Sequence, residues 1–441
     1  MLLLALACTR DPKPDVVLIL VDTLRADAVH YAGQPRETTP NLDAFVQQDA
    51  TWFSRAYSAT SWTLPSTVTL LTGLQPWEHR VVKSKLGTDD YGRLLPHIPT
   101  LASRWRGQGY RTGAWINNAF LAPEFGLVEG FDTYAYEGAP TVGHRSAKKT
   151  VDEAIAFLNA DDSPAFMLVH IMEPHADYDP GAPYKGTWTD GMPHSLSYPL
   201  GHEAHTRLMT GVDAEFKLAP PSSDDKEYVR AMYAEEVLAA DAAVGELLAA
   251  LKARPNWEDT VVVVTADHGE ELWDYGRYEH GHSLLSPVIH IPLAVKAPGI
   301  GPGQNDTVVG QREVWEFLAQ PGTGDLANLA KNGTEPGRAH CHQGIIYGPQ
   351  QAGVITDTEH LVAQLEDPRP DAQQQVFYVF DLDEKGREIT PPKARVEADH
   401  PLVQQLVACR GGLDITHPVD PRPVNSPEVF DMLRQLGYIE D

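Results

Sequence analysis

Cysteine is scarce: Cys8, Cys341 and Cys409 are the only three in 441 residues. Metal-binding cysteines come in short paired spacings, and these stand far apart, so a cysteine zinc module is excluded. Basic residues are also in short supply. Lys and Arg number 35 against 61 Asp and Glu, a formal charge of −26, and so acidic a surface repels phosphate backbones and anionic headgroups. Nucleic acid is therefore not an expected partner, and an anionic substrate would need a metal ion or a local cationic pocket. The N-terminal apolar run MLLLALAC falls well short of the roughly 20 residues of a membrane span. It also lacks the Lys or Arg of a secretory n-region. LALAC followed by the polar TRDPKPD reads either as a truncated bacterial lipoprotein signal or as a merely apolar leader, in both cases occupying residues 1–14. Under the first reading Cys8 carries lipid and tethers the chain to a membrane, the location is periplasmic or on the cell envelope, and Cys341 and Cys409 are left as the pair available for a disulfide. Under the second a cytoplasmic location stays open.

Hydrophobic residues make up 42% and charged residues 22%, ordinary globular usage that supports a sizeable core. Val16–Val21 (VVLILV) is too short and too β-branched for a helix and has no polar interruption, the pattern of a strand buried on both faces. Similar runs recur at Arg111–Ile116, Ala165–Met172, Thr260–Thr265 and Val288–Val295. Helical patterns lie between them, notably Tyr228–Lys252. This alternation predicts an α/β domain over residues 15–332, a mostly parallel sheet covered by helices on both faces. After about Asn332 the texture changes to GVIT and VFYVFDL separated by Gly, Pro and Gln, with a final helix near Pro427–Leu436. A smaller antiparallel subdomain over 333–441 is expected there.

Ligand sites in open α/β sheets lie beyond the carboxyl ends of the strands. Asp22 follows VVLILV, and Asp267 and His268 follow TVVVVTA. Two carboxylates and an imidazole at strand ends can converge on one divalent cation, although an Asp in that position is more often a turn former or cap. In SWTLPSTVTLLTG, Thr63 stands at the N-cap of a helix that carries Pro65 in its first turn and stops at Gly73. Its hydroxyl either caps that helix or serves as a nucleophile at an anion-binding helix N-terminus.

The ordered series VVLILVDTLRAD, TTPNLDAF, SWTLPSTVTLLTGLQPWEHRV, PTLASRWRGQGYRTGAW, HIMEPHADYDP, EEVLAADAAVGELLAAL, VVVVTADHGEELWDYG and HGHSLLSPVIHIPL closely resembles the sulfatase family of the alkaline phosphatase superfamily, and YVFDLDEKGREIT and FDMLRQLGYIED resemble its C-terminal subdomain. The likeness runs nearly the full length from Asp15. It implies an alkaline-phosphatase-like fold and an ester hydrolase that holds one divalent metal ion, Mn, Zn, Ca or Mg, with Asp22, Thr63, Asp267 and His268. It places the nucleophile on Thr63, and His175 and His280 beside the reacting anion. Formylglycine sulfatases carry Cys or Ser followed by x-Pro-x-Arg, whereas here Thr63 and Thr67 stand at those positions, so no formylglycine can form. A second acidic ligand is replaced by Thr23, and the family's Lys and His by Asn117 and Ala119. This set is similar to the branches in which a Thr hydroxyl attacks phosphorus. Phosphoryl transfer, with diesters favoured, is thus the expected chemistry on a small-molecule or glycan- or lipid-linked anionic ester. The alternatives are a true sulfuric ester hydrolase and a non-catalytic binding relative. His79, His170, His282 and His290 read as packing or surface residues, and Glu270 and Glu271 as a solvated or capping pair. Glu173, Asp177 and His282 have no defensible spacing for a second metal, so one metal is expected. The insertion from Asp179 to Asp225 is expected to form loops over the site and to set specificity.

Overall fold

The computed structural model describes residues 13–83, 91–137, 146–196, 200, 202–212, 217–348, 350–365 and 376–412. Cys8 with the leader, and the helix expected at 427–436, lie outside the described residues.

With no polar side chain to keep wet, all of Val16–Val21 (β1) is buried. Among the described residues eight strands make the main sheet: β1, Thr51–Phe53 (β2), Arg111–Ile116 (β3), Thr133–Tyr136 (β4), Ala165–Ile171 (β5), Val261–Ala266 (β6), Leu293–Lys296 (β7) and Gly303–Asn305 (β8). Their spatial order is β8-β2-β7-β6-β1-β5-β3-β4. From β6 to β4 the neighbours run parallel. β7 pairs antiparallel with β6 and β2, which makes the sheet mixed. The strand expected over Val288–Val295 is divided. Ser286–Ile289 forms a helical turn with Pro287 in its first turn, His290–Ile291 pairs with Ala56–Tyr57, and the chain enters the main sheet only at Leu293. Pro292, which has no N–H to donate to a ladder, stands at the break.

The helices that bear on the site are Thr63–Thr72 (α1), Ala147–Asn159 (α2), His202–Thr210 (α3) and Ser223–Lys252 (α4). α4 begins earlier than its apolar pattern, because the Ser222 side chain accepts from the Asp225 N–H and completes a capping box. α2 packs against β3, β5 and α4. No helix among the described residues is long and apolar enough to cross a membrane.

Beyond the main sheet, His340–Gln343 (β9), Gln351–Ile355 (β10), Glu359–Gln364 (β11), Val376–Asp381 (β12) and Ala394–Val396 (β13) form a separate antiparallel meander. Its own small core includes Leu361, Val379 and Leu406. Pro401–Cys409 (α5) closes it, and a Cys341–Cys409 disulfide with Cα atoms 6.3 Å apart ties that helix to β9.

Candidate active site

Strand register brings the site together. Val21 pairs with both Ile171 and Ala266, so Asp22 and Asp267 leave the sheet side by side at its carboxyl end. Asp22, Asp267 and His268 are completely buried, and one ligating atom from each lies within 4.8 Å of the others. His268 Nε2 stands 3.8 Å from Asp22 Oδ1 and 3.5 Å from Asp267 Oδ2. Its Nδ1 lies 2.9 Å from the Gly269 carbonyl. A carbonyl only accepts, so the ring proton sits on Nδ1 and Nε2 offers a lone pair. Asp22 Oδ1 and Asp267 Oδ2, which face that lone pair, are buried with no hydrogen-bond partner.

Uncompensated buried carboxylates cost several kcal/mol. Burial opposes the charge of Asp22, yet His170, His175 and His268 hold its carboxyl below the usual range. Burial and the charge of Asp22 push Asp267 up to about 7. Two unpartnered carboxylate oxygens and an imidazole lone pair on one small volume fit a divalent cation with mixed oxygen and nitrogen ligation, the set that suits Mn or Zn and tolerates Mg or Ca.

Thr63 does not cap its helix. The N-cap is Trp62, Thr63 is the first helical residue, and neither makes a capping bond. The Thr63 hydroxyl turns instead to His268 Nε2 at 3.3 Å. Ser66 Oγ donates to the Asp267 carbonyl at 2.5 Å, anchoring α1 to the end of β6.

Asn118, which no sequence motif singles out, completes this corner. Its Nδ2 donates to Asp22 Oδ2 at 2.7 Å and lies 3.3 Å from Thr63 Oγ1. The Phe120 N–H, donating to Asn118 Oδ1 at 2.9 Å, fixes which way the amide points. Asn117 turns away to Thr150 Oγ1 and the His170 carbonyl. His170, read as packing, has its Nε2 3.3 Å from Asp22 Oδ2. The consecutive Asn residues after β3 were the available signal, but spacing alone could not say which one faces inward.

His268, His280 and His175 lie in a row, with ring centroids 4.5 and 5.2 Å apart. His280 Nδ1 is 3.0 Å from Glu270 Oε1. The expectation of solvated glutamates is overturned here. Glu270 and Glu271 are both fully buried, because each has a histidine partner, His282 in the case of Glu271. Glu173 accepts from the Ala147 N–H and Asp177 faces His205, so neither joins His282. His290, bonded to the Ser54 carbonyl, and His79, which accepts from the Val81 N–H, are packing residues as expected.

A family model described as sulfatase matches residues 14–319. An ulvan-active sulfatase of Formosa agariphila is 28% identical over 328 residues, 67% of this chain and 58% of that protein. The multifunctional alkaline phosphatase superfamily protein PehA of Trinickia caryophylli is 24% identical over 363 residues, 65% of this chain and 69% of its own length. The chain thus spans little more than half of the first relative. A phosphonate monoester hydrolase of Agrobacterium radiobacter shares the fold, with a TM-score of 0.65 at 19% identity over 90% of this chain and 94% of that one. With a family match running through every strand of the parallel core and the site at its carboxyl end, the chain belongs to the sulfatase family, within the alkaline phosphatase superfamily.

Proposed function

We propose that the protein hydrolyses phosphate esters through an ester on Thr63, prefers diesters to monoesters, and turns over sulfate esters more slowly. The observation that carries this reading is the Thr63 hydroxyl 3.3 Å from His268 Nε2, beside two buried carboxylate oxygens that lack partners. Asp22, Asp267, His268 and Thr63 would hold one divalent ion. What such an ion supplies is positive charge that lowers the hydroxyl pKa and offsets the charge on a non-bridging oxygen.

Thr63 cannot yield the aldehyde of formylglycine, because its β-carbon bears a methyl group. Without the aldehyde route, an ester on Thr63 is released by attack of water at the central atom, the ordinary course for phosphorus. Thr63 Oγ1 gives its proton to solvent and attacks phosphorus, the ester P–O bond breaks, and the leaving oxygen takes a proton from His280 or His175, which regains one from the water that attacks next. Water then opens the phosphothreonine and restores the hydroxyl. Asn118 contributes a neutral donor at the nucleophile, and Asn117 faces elsewhere. The pocket therefore has little cationic charge for a dianion, which favours the singly charged diester. A sulfuric ester hydrolase is the second reading, favoured by the 28% identity to the ulvan-active sulfatase. A non-catalytic role fits poorly with the convergence of Asp22, Thr63, Asp267 and His268. The substrate class is an anionic ester, free or linked to a glycan or lipid. Cell-envelope placement, with Cys8 lipidated, is part of the same proposal and is supported by the Cys341–Cys409 disulfide.

The test is a panel of 4-nitrophenyl phosphate monoester, methyl diester and sulfate, run with Mn, Zn, Mg or Ca. Diester turnover should lead, sulfate should trail, and chelation or Thr63→Ala should abolish activity. Sulfate turnover above phosphate turnover, or an active Thr63→Ala protein, would overturn the reading.

A further inference from the structure

His205 takes no part in the chemistry above, yet it binds the segments that do. It lies on α3, inside the insertion between Asp179 and Asp225. Its Nε2 is bonded to Glu279 Oε1, and its Nδ1 makes an ion-pair contact, not a hydrogen bond, with Asp177 Oδ1 at 3.4 Å. Asp177 comes two residues after His175, and Glu279 immediately precedes His280. One imidazole therefore joins the insertion helix to both histidine-bearing segments.

The pair is well shielded, with 21% exposure for the His205 side chain and 11% for Glu279. Burial opposes the imidazolium, but Glu279 and Asp177 outweigh it and raise His205 to about 10, so the ring is charged at neutral pH. The Tyr278 ring packs against His205 at 5.8 Å and stacks on Trp273 at 4.8 Å. Glu279 holds a left-handed backbone at φ 72° although it is not glycine. A residue kept in that conformation requires surroundings that hold it there, and the His205 ion pair is one such restraint.

We propose that His205 is a positioning residue: through Asp177 and Glu279 the insertion helix fixes the segments that carry His175 and His280, and with them the geometry of leaving-group protonation. This rests on the proposed role of those histidines as proton donors. Protonation matters most when the leaving oxygen is basic and least when it is a nitrophenolate. A loosened clamp should therefore discriminate between leaving groups, which a general loss of folded protein would not.

The experiment compares the full-length wild type with His205→Ala and His205→Gln on methyl 4-nitrophenyl phosphate and methyl phenyl phosphate. For the phenyl ester His205→Ala should lower kcat about ten-fold or more, against about two-fold for the nitrophenyl ester, with KM little changed. His205→Gln, which keeps one donor toward Glu279, should recover part of the loss. Equal losses on both esters, or none, would overturn the positioning role. Trypsin cleavage after Arg207 gives a readout independent of turnover. It should be faster in His205→Ala than in the wild type, and equal rates would overturn the clamp. A wild type that hydrolyses neither ester refutes the proposed function, while the proteolysis comparison still decides the clamp.

Discussion

Asp22 and Asp267 each spend one oxygen on the protein and keep one unpaired. Asp22 Oδ2 accepts from Asn118 Nδ2, and Asp267 Oδ1 accepts from the His268 and Thr23 N–H groups. The remaining oxygens face the lone pair of His268. Asp22→Asn, Asp267→Asn and His268→Ala should each weaken divalent-ion binding at least ten-fold, read as metal content by elemental analysis after dialysis. Unchanged stoichiometry in all three would remove these residues from the ligand set. Asn118→Ala should lower kcat about 10- to 100-fold, since it deletes a donor aimed at Thr63, the proposed nucleophile, whereas Asn117→Ala should act on stability alone. The strand-end residues were legible because a buried apolar run announces its own end. Asn118 was not, since only the path of the chain after β3 decides which of two neighbours turns inward. Glu270 and Glu271 were misread for a related reason. A carboxylate looks solvated in sequence until its buried histidine partner is found in space.

α1 carries Thr63, the proposed nucleophile, and its end is fixed by steric demand. Gly73 has φ 72° and caps the helix, and an added Cβ would lie 2.5 Å from the Trp315 ring. Gly73→Ala should destabilise the protein by about 1–3 kcal/mol, visible as a lower midpoint in thermal unfolding. An unchanged midpoint would mean that Trp315 moves aside freely. Uninterrupted β-branched runs such as β1 and β6 matched their expected spans to within a residue. The stretch Val288–Val295 did not. Its apolar composition says that it is buried, but a buried strand, a helical turn and a second sheet have the same composition, and only the two prolines mark where one gives way to another.

At the scale of the molecule, the C-terminal sheet is fastened to the site. The Gly344 carbonyl accepts from Thr60 Oγ1 and Ser61 Oγ, and the Ile346 and Tyr347 N–H groups donate to the Gly281 carbonyl. These contacts flank Thr63 on one side and His280 on the other. A second tie lies behind the candidate metal corner, where the Arg25 guanidinium bonds both Asp27 and Asp274 and the Glu270 carbonyl. Burial works against the charge of Asp274, but Arg25 outweighs it and holds the carboxyl down to about 2. A depressed carboxylate contributes stability in full above its ordinary pKa of about 4 and loses it as pH falls toward the folded value. The pair should therefore add about 2 kcal/mol at neutral pH, lost between pH of about 4 and 2. Asp274→Asn should flatten that part of the acid-unfolding curve, and an unaltered curve would assign the acid sensitivity to other groups. If the proposed chemistry operates, Thr63 becomes covalently phosphorylated during turnover. The most direct measurement is mass spectrometry of the Thr63 peptide from enzyme quenched during hydrolysis of methyl 4-nitrophenyl phosphate with metal present. A methylphosphoryl or phosphoryl adduct is expected on Thr63 itself. Unmodified Thr63 throughout turnover, or an adduct on any other residue, would contradict the proposed chemistry.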